Sequence, residues 1–243
     1  ALGAPLPLFA HCPVILGDDG QKLSKRRGAV SVTAYEEGGY LPEAMLNYLA
    51  RLGWSHGDDE LFTREQMVQW FDGSHLSKSP AQWDPAKLAW VNAHHLRQAD
   101  DARLASLVAT VLDKRGVAVG TGARLPAMCA LFKDRSTTVV ELADWIEMYF
   151  VDVRPGDELL AAHVPPTVRP ALQALRDRLA TVGWDTPSIA AAIKQVLAEF
   201  SLKMPQLAPA LRVLVCARVQ TPSIDAVLSL FDREAVLRRL QGV

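Results

Sequence analysis

Lys22, Lys25, Arg26 and Arg27 place four cations within six positions, interrupted by Leu23 and Ser24 and by no acid. A run of that kind needs an anionic partner or a solvated surface. The other chemistry-bearing types are scattered. His94 and His95 have no carboxylate or cysteine at metal-ligand spacing and read as helix-end histidines, so no zinc or other metal site is expected. Cys12, Cys129 and Cys216 are odd in number, far apart and free of any C-x-x-C pair, the pattern of reduced thiols in the cytoplasm. Asp58, Asp59 and Glu60 form a lone acidic run read as solvated. A net charge of −1 over 243 residues argues against a generic polyanion binder, because such affinity comes from many Lys and Arg set against phosphates. The charge is unevenly spread: residues 164–243 hold ten Lys and Arg against six Asp and Glu.

These residues must be carried on a largely helical frame. Leu6, Leu8 and Phe9, then Val14, Ile15 and Leu16, look like short extended pieces, and Asp18, Asp19 and Gly20 supply a turn after them. From Pro42 the apolar period becomes helical. Pro42 suits a first helical position, Leu46, Leu49 and Ala50 share a face, and Gly53 can supply a left-handed cap. Thr63 and Gln66 have the spacing of a capping box ahead of Met67, Trp70 and Phe71, and Asp84 before Pro85 starts a helix through Leu88 and Val91. Leu104, Leu107, Val108, Val111 and Leu112 recur at helical spacing up to Gly116. Met67, Trp70 and Phe71, like Trp145, Tyr149 and Phe150, are read as core. Pro155, Gly156, Pro165 and Pro166 break the period and mark a boundary within 154–166. Beyond it, Leu172, Leu175 and Leu179 stop before Gly183, Ile189, Ile193, Val196, Leu197 and Phe200 form the next stripe, and two short helices start near Ser223 and Asp232. No run reaches the roughly 18 apolar residues of a membrane span, and no signal peptide opens the chain, so a soluble protein without a membrane partner is expected.

Lys22-Leu23-Ser24-Lys25-Arg26 resembles the K-M-S-K-S signature of class I aminoacyl-tRNA synthetases. Taken alone, the pentapeptide also fits an exposed turn. The residues after it resemble the bacterial-type glutamyl-tRNA synthetases in order: Gly28 to Val32, Tyr35, Gly39 to Ala44, Asn47 to Leu49, then Leu52, Gly53 and Trp54. His11 to Leu16 and Asp19-Gly20 match ahead of the loop, and Leu76 to Pro80 with Asp84, Pro85, Lys87, Leu88 and Trp90 to Asn92 match the end of that family's stem-contact region. The resemblance is strong over residues 5–97 and continues more weakly to the end. It implies that Lys22 and Lys25 are catalytic and, with Ser24, bind ATP. The chemistry has a use for them, since attack of a carboxylate on the α-phosphate builds charge on the departing pyrophosphate, which two ammonium groups meet best in the transition state. Arg27 stands where the family often has His. No histidine lies in an H-I-G-H sequence, so the Rossmann half is expected to be missing and the chain to be cut from something longer.

The same resemblance extends to anticodon reading. Leu211 to Leu214 with Ala217, then Thr221, Pro222 and Ile224, are similar to the family's P-L-R-x-A-L-T-G to G-P-x-L region, which implies a base contact for Arg212 and a pocket wall of Thr221, Pro222 and Ile224. The family's glycine is replaced near Arg218. Arg135, in the run from Lys133 to Thr138, resembles a segment before another anticodon-facing helix. Read locally, Arg212 is equally a snorkelling surface arginine, and Lys194 lies on a solvated face.

The expectation is therefore a mainly α protein: a short α/β stub of the class I catalytic region, a helical stem-contact region and helical anticodon-binding domains. The divisions fall at 1–97, 98–160 and 161–243. As implied by the resemblance, the full-length protein is a cytoplasmic glutamate–tRNA ligase, a monomer with tRNA(Glu), glutamate and ATP as partners, Mg²⁺ as the ATP counter-ion and no DNA partner. This part binds RNA, holds no cofactor tightly and forms no adenylate alone. Glutaminyl-tRNA synthetase is opposed by the long helical periods where that enzyme has β-barrels. The alternative from another class is a helical protein-interaction module of synthetase ancestry.

Overall fold

A computed structural model describes residues 3, 5, 6, 9, 11–17, 19–23, 31–120 and 124–241. Thirteen α-helices, three short 3₁₀ helices and one two-stranded sheet account for the regular structure among them, so the mainly helical expectation holds. Two compact units are formed, one from residues 1–99 with 136–141, the other from 100–135 with 142–243.

In the first unit, β1 (Ile15–Leu16) pairs in parallel with β2 (Ala81–Gln82), the extended stub at the front. Helices α1 (Val32–Glu37), α2 (Pro42–Arg51), α3 (Arg64–Trp70) and α4 (Pro85–Gln98) make up the rest. Their starts are set by local chemistry. Thr63 and Gln66 form the full capping box, and the Asp84 carboxylate accepts from the Lys87 amide at 3.0 Å, which satisfies donors that a first helical turn leaves free. Helix α2 departs from expectation at its end, because Leu52 closes it in the right-handed region and Gly53 is not left-handed. Its faces differ as well. Ala44, Met45, Asn47 and Tyr48 take the buried side, whereas Leu46 and Leu49 share a face that is about 40% exposed. Phe71, read as core, is also exposed, since α3 stops at Trp70 and the chain turns out of the helix there.

Two buried asparagines hold this unit together across long loops. Asn92 accepts from the Leu41 amide at 2.8 Å and donates to the Thr137 carbonyl, so α4 fixes both the start of α2 and the 136–141 segment. Asn47 donates to the Glu60 carbonyl at 2.9 Å and accepts from the Phe62 amide at 3.2 Å, with the His95 ring 3.0 Å away. Burial pushes the His95 imidazole below its ordinary value, which keeps it neutral beside that amide. Glu60 is not simply solvated: it pairs with Arg51 and Lys87, each at 3.0 Å, and its carboxyl is held below the usual range chiefly by the Arg51 hydrogen bond.

In the second unit, α5 (Asp101–Lys114) and α6 (Leu125–Phe132) pack together, followed by the end of α7 (Val139–Ile146), which begins in the first unit. Helices α8 (Asp157–His163), α9 (Arg169–Leu179), α10 (Thr186–Glu199), α11 (Met204–Cys216), α12 (Ile224–Ser229) and α13 (Arg233–Arg239) complete it, with the last two starting where the sequence placed them. The proline-rich 154–166 stretch lies inside this unit, with α8 resting on α11. Leu172, Leu175, Ile189, Ile193, Val196, Leu211 and Val227 are buried in its core.

Gly39 shows how tightly the 136–141 segment is seated. Its φ is +80°, its carbonyl accepts from the Val139 amide at 2.9 Å, and a Cβ placed there would lie 2.6 Å from the Val140 nitrogen. Gly39→Ala is therefore expected to destabilise the chain by roughly 2–4 kcal/mol, combining left-handed strain with a backbone overlap. Gly53→Ala, where an added Cβ meets nothing within 4 Å, should stay within about 1 kcal/mol of wild type. Urea unfolding of both variants measures this, and equal midpoints would show that the segment yields at no cost.

Candidate nucleic-acid interface

The strand end that carries the cationic run is shaped by a tight turn. The Gly17 amide donates to the Gln21 carbonyl at 2.8 Å, Gly20 takes a φ of +71°, and the Asp19 carboxylate accepts from the Gln21 amide at 2.9 Å. The chain then returns beside β1, with Lys22 bridged to Leu16 and the Leu23 amide donating to the Ile15 carbonyl. Lys22 is exposed at the end of this return. Ser24 and Lys25 lie outside the described residues, and Ser31 caps α1 on the far side of the run.

Arg135 ends a single 3₁₀ turn, Lys133–Arg135, after α6 and is exposed. Arg212 sits on α11, half-buried, and its Nε donates to the Thr221 hydroxyl at 3.1 Å. That hydroxyl donates in turn to the Pro222 carbonyl at 2.8 Å, so both of its hydrogen-bonding roles are used. Thr221, Pro222 and Ile224 are buried. The structure thus brings Arg212, Thr221 and Pro222 together in one bonded group, in which Thr221 holds the guanidinium from below.

The turn that returns Thr221 to Arg212 depends on Ala217. Helix α11 ends there in the left-handed region, φ 50° and ψ 32°, with the Ala217 amide donating to the Val213 carbonyl at 2.9 Å. Most helices that end in this way use glycine. Directly after it, Arg218 donates to the Asp144 carbonyl at 2.8 Å and lies over the Trp145 ring, 4.3 Å from its centroid.

Sequence reasoning missed how the C-terminal arginines are used. Arg239 donates to the carbonyls of Val215, Met148 and Val151 and lies over Phe231. Arg233 donates to Ala180 and Val182, Arg176 to Leu237, and Arg178 pairs with Glu199. Burial lowers the affinity of Arg239 for its proton, and the three carbonyls supply the compensating dipoles. The basic excess of residues 164–243 is therefore spent largely inside the unit. Arg169, Lys194, Lys203 and Arg238 remain exposed. Burial also pushes the Cys129 and Cys216 thiols up to about 12, so neither is a ready nucleophile.

Residues 92–243 match the family "Anticodon binding domain", and residues 1–90 match "tRNA synthetases class I (E and Q), catalytic domain". A glutamate–tRNA ligase from Leptothrix cholodnii is 55% identical over 244 residues, covering 100% of this chain and 52% of that protein. One from Aromatoleum aromaticum is 57% identical over 240 residues, covering 99% and 52%. A crystal structure of a glutamate tRNA ligase from Elizabethkingia meningosepticum superposes with a TM-score of 0.86 at 23% identity over 99% of this chain and 52% of that one, which shows the shared fold. The chain belongs to the bacterial glutamyl-tRNA synthetase family of class I synthetases, with the end of the catalytic domain followed by the anticodon binding domain. It spans about half the length of the curated relatives it matches.

Ala217 generates a direct test of the turn. A non-glycine residue in the left-handed region costs roughly 1–2 kcal/mol, part of which glycine gives back through its freer unfolded chain. Ala217→Gly should thus raise stability by about 0.5–1 kcal/mol without moving Arg212. Thermal unfolding with a crystal structure of the variant measures both, and a lowered midpoint would show that the turn carries no strain.

Proposed function

We propose that the whole protein attaches glutamate to tRNA(Glu) using ATP with Mg²⁺, and that this part binds the tRNA. Residues 1–97 carry the phosphate loop and the stem-contact part; 98–160 and 161–243 carry anticodon recognition. The protein acts in the cytoplasm as a monomer, with neither DNA nor a membrane as partner. Among the described residues, no helix is long and apolar enough to cross a membrane.

The observation that carries the reading is the Arg212–Thr221–Pro222 group. A single-stranded loop is read by unstacked bases presenting their edges to side chains of fixed direction. Arg212 meets that need because one of its five donors is anchored on a buried hydroxyl, which sets the plane of the guanidinium and leaves the Nη pair to face a base. Pro222 and Ile224 shape the support beneath it. Arg135, at an exposed helix-end turn, is the second base-reading candidate. Lys22 and Lys25, with the Ser24 hydroxyl, meet the pyrophosphate charge.

Two measurements test this. Arg212→Lys keeps the charge and loses the fork, so tRNA(Glu) affinity should fall by roughly 1–3 kcal/mol, five-fold to more than a hundred-fold, with loss of preference at one anticodon position. Binding of tRNAs altered at each anticodon base, at one salt concentration, reads the effect. Unchanged preference would remove Arg212 as a reader, and no preference in wild type would favour the interaction-module alternative. For the loop, Lys25→Ala in the whole protein should lower the rate of ATP–pyrophosphate exchange far more than it weakens ATP binding, as expected of a transition-state contact. Equal losses in both would mean a ground-state role, and exchange by this chain alone would mean that no further half is needed.

A further inference from the structure

The second unit has an open cavity of about 560 Å³ at the end of α11, a volume within the range of ligand-sized clefts. Asp144, Glu147, Met148, Val151, Cys216 and Arg218 are among the residues that line it. One wall is layered. The Trp145 ring stacks on that of Phe132, with centroids 5.6 Å apart and planes 18° from parallel. Arg218 lies over the Trp145 ring, its guanidinium carbon 4.3 Å from the centroid, and its Nη2 donates to the Asp144 carbonyl at 2.8 Å. Arg218 lines the cavity and Trp145 does not, so the guanidinium stands between the ring and the open space. The cavity carries little net charge. Asp144 and Glu147 both pair with Arg115, at 2.7 and 2.6 Å, so two carboxylates are set against the guanidinium groups of Arg115 and Arg218. The place adjoins the Arg212 group as well. Cys216, which lines the cavity, follows Arg212 on α11 by four residues, about one helical turn, and both Arg212 and Arg218 act on the Cys216 thiol.

We infer that Arg218, laid on Trp145, is a stacking platform for one unpaired nucleobase of the bound RNA loop, holding that base without reading which base it is. Three observations select such an occupant. A guanidinium supported by an aromatic ring and tied to a carbonyl offers a pre-set plane, and single-stranded bases stack on arginine planes as they do on aromatic ones. The carboxylates at the wall repel a phosphate but can accept from the N–H groups of a neutral base, while Met148 and Val151 supply an apolar flank. The distance along α11 suits a loop whose neighbouring nucleotide meets Arg212. Every base has a stacking face, so the platform tolerates any sequence, whereas Arg212 discriminates by its hydrogen-bonding fork. The inference rests on the proposal that this part binds the anticodon loop, and it gives Arg218 a task that Arg212 does not perform.

The test measures binding of this chain to the anticodon stem-loop of tRNA(Glu), with each loop nucleotide made abasic in turn. For wild type, removing the base at one position should weaken binding about five-fold to a hundred-fold, and exchanging that base for another should cost less. In Arg218→Ala this penalty should vanish, while the penalties at the other positions and the base preference that depends on Arg212 remain. Arg218→Lys keeps the charge and a donor for the Asp144 carbonyl but has no plane, so it should lose the same penalty; it carries the test if circular dichroism shows the alanine variant unfolded. Penalties unchanged in both variants overturn the platform. So does an equal loss of affinity at every position, which is what a disturbed turn or a lost charge would give, and so does a lysine variant that matches wild type. Loss of the Arg218 effect with the Arg212 preference intact removes the platform alone, whereas no binding of the loop by wild type removes the platform together with the reading it rests on.

Discussion

Short helices create many ends, and each end leaves backbone donors and acceptors that must be met once they are buried. Among the described residues no helix exceeds fourteen residues, so the fold depends on side chains that reach distant backbone groups as much as on its apolar core. The two units answer with different residues. The first uses the carboxamides of Asn47 and Asn92, which carry donor and acceptor together and so join two loops through one side chain. The second uses guanidinium groups, which can only donate and therefore collect carbonyls. Arg239 takes three of them from two separate parts of the chain, drawing α13 onto the end of α11 and the stretch that follows α7.

That choice has a consequence for charge. An arginine bonded to carbonyls keeps its positive charge but has part of its donor fork committed inside the unit, so the number of basic residues overstates the electrostatic attraction that the surface can exert. A modest net charge and internally committed arginines fit the proposed recognition by a few directed contacts better than a grip along a polyanion backbone. Arg212 belongs to the same chemistry with one difference. Its anchor is a hydroxyl that takes Nε, which restricts the plane of the group.

Much of the fold was legible because its signals are local. Thr63 with Gln66 and Asp84 before Pro85 act within three residues of themselves, and the stripes of α5, α9 and α10 repeat at fixed intervals. What was not legible depends on distant partners. Leu46 and Leu49 were read correctly as sharing a face, yet periodicity reports only that a face is apolar and says nothing of whether this chain covers it. Gly53 looked like a helix terminator, but the cap it suggested is unnecessary where Leu52 already closes the turn and the Gly53 carbonyl receives the Ser77 amide. The Arg239–carbonyl bonds join residues 24 to 91 apart, and no pattern of neighbours encodes them. Of the residues in the cationic run, Lys22 is placed, whereas Ser24 and Lys25 lie outside the described residues.

The resemblance named Arg212, Thr221, Pro222 and Ile224 as one reading group, and physical chemistry divides them by task. A threonine that is 5% exposed and whose only hydroxyl proton is already given to the Pro222 carbonyl has no donor to offer a base, and a buried isoleucine has no surface to offer one. Their value lies in direction. An unanchored arginine has several freely rotating bonds and must lose that freedom when it binds; one held at Nε has lost part of it already, so less of the contact is offset by ordering. Ala217 belongs to the same device, because its left-handed turn is what returns Thr221 to the flank of α11. The alanine there takes on backbone strain that a glycine would avoid, and the turn persists because the packing around Val213, Cys216 and Thr221 holds it in place.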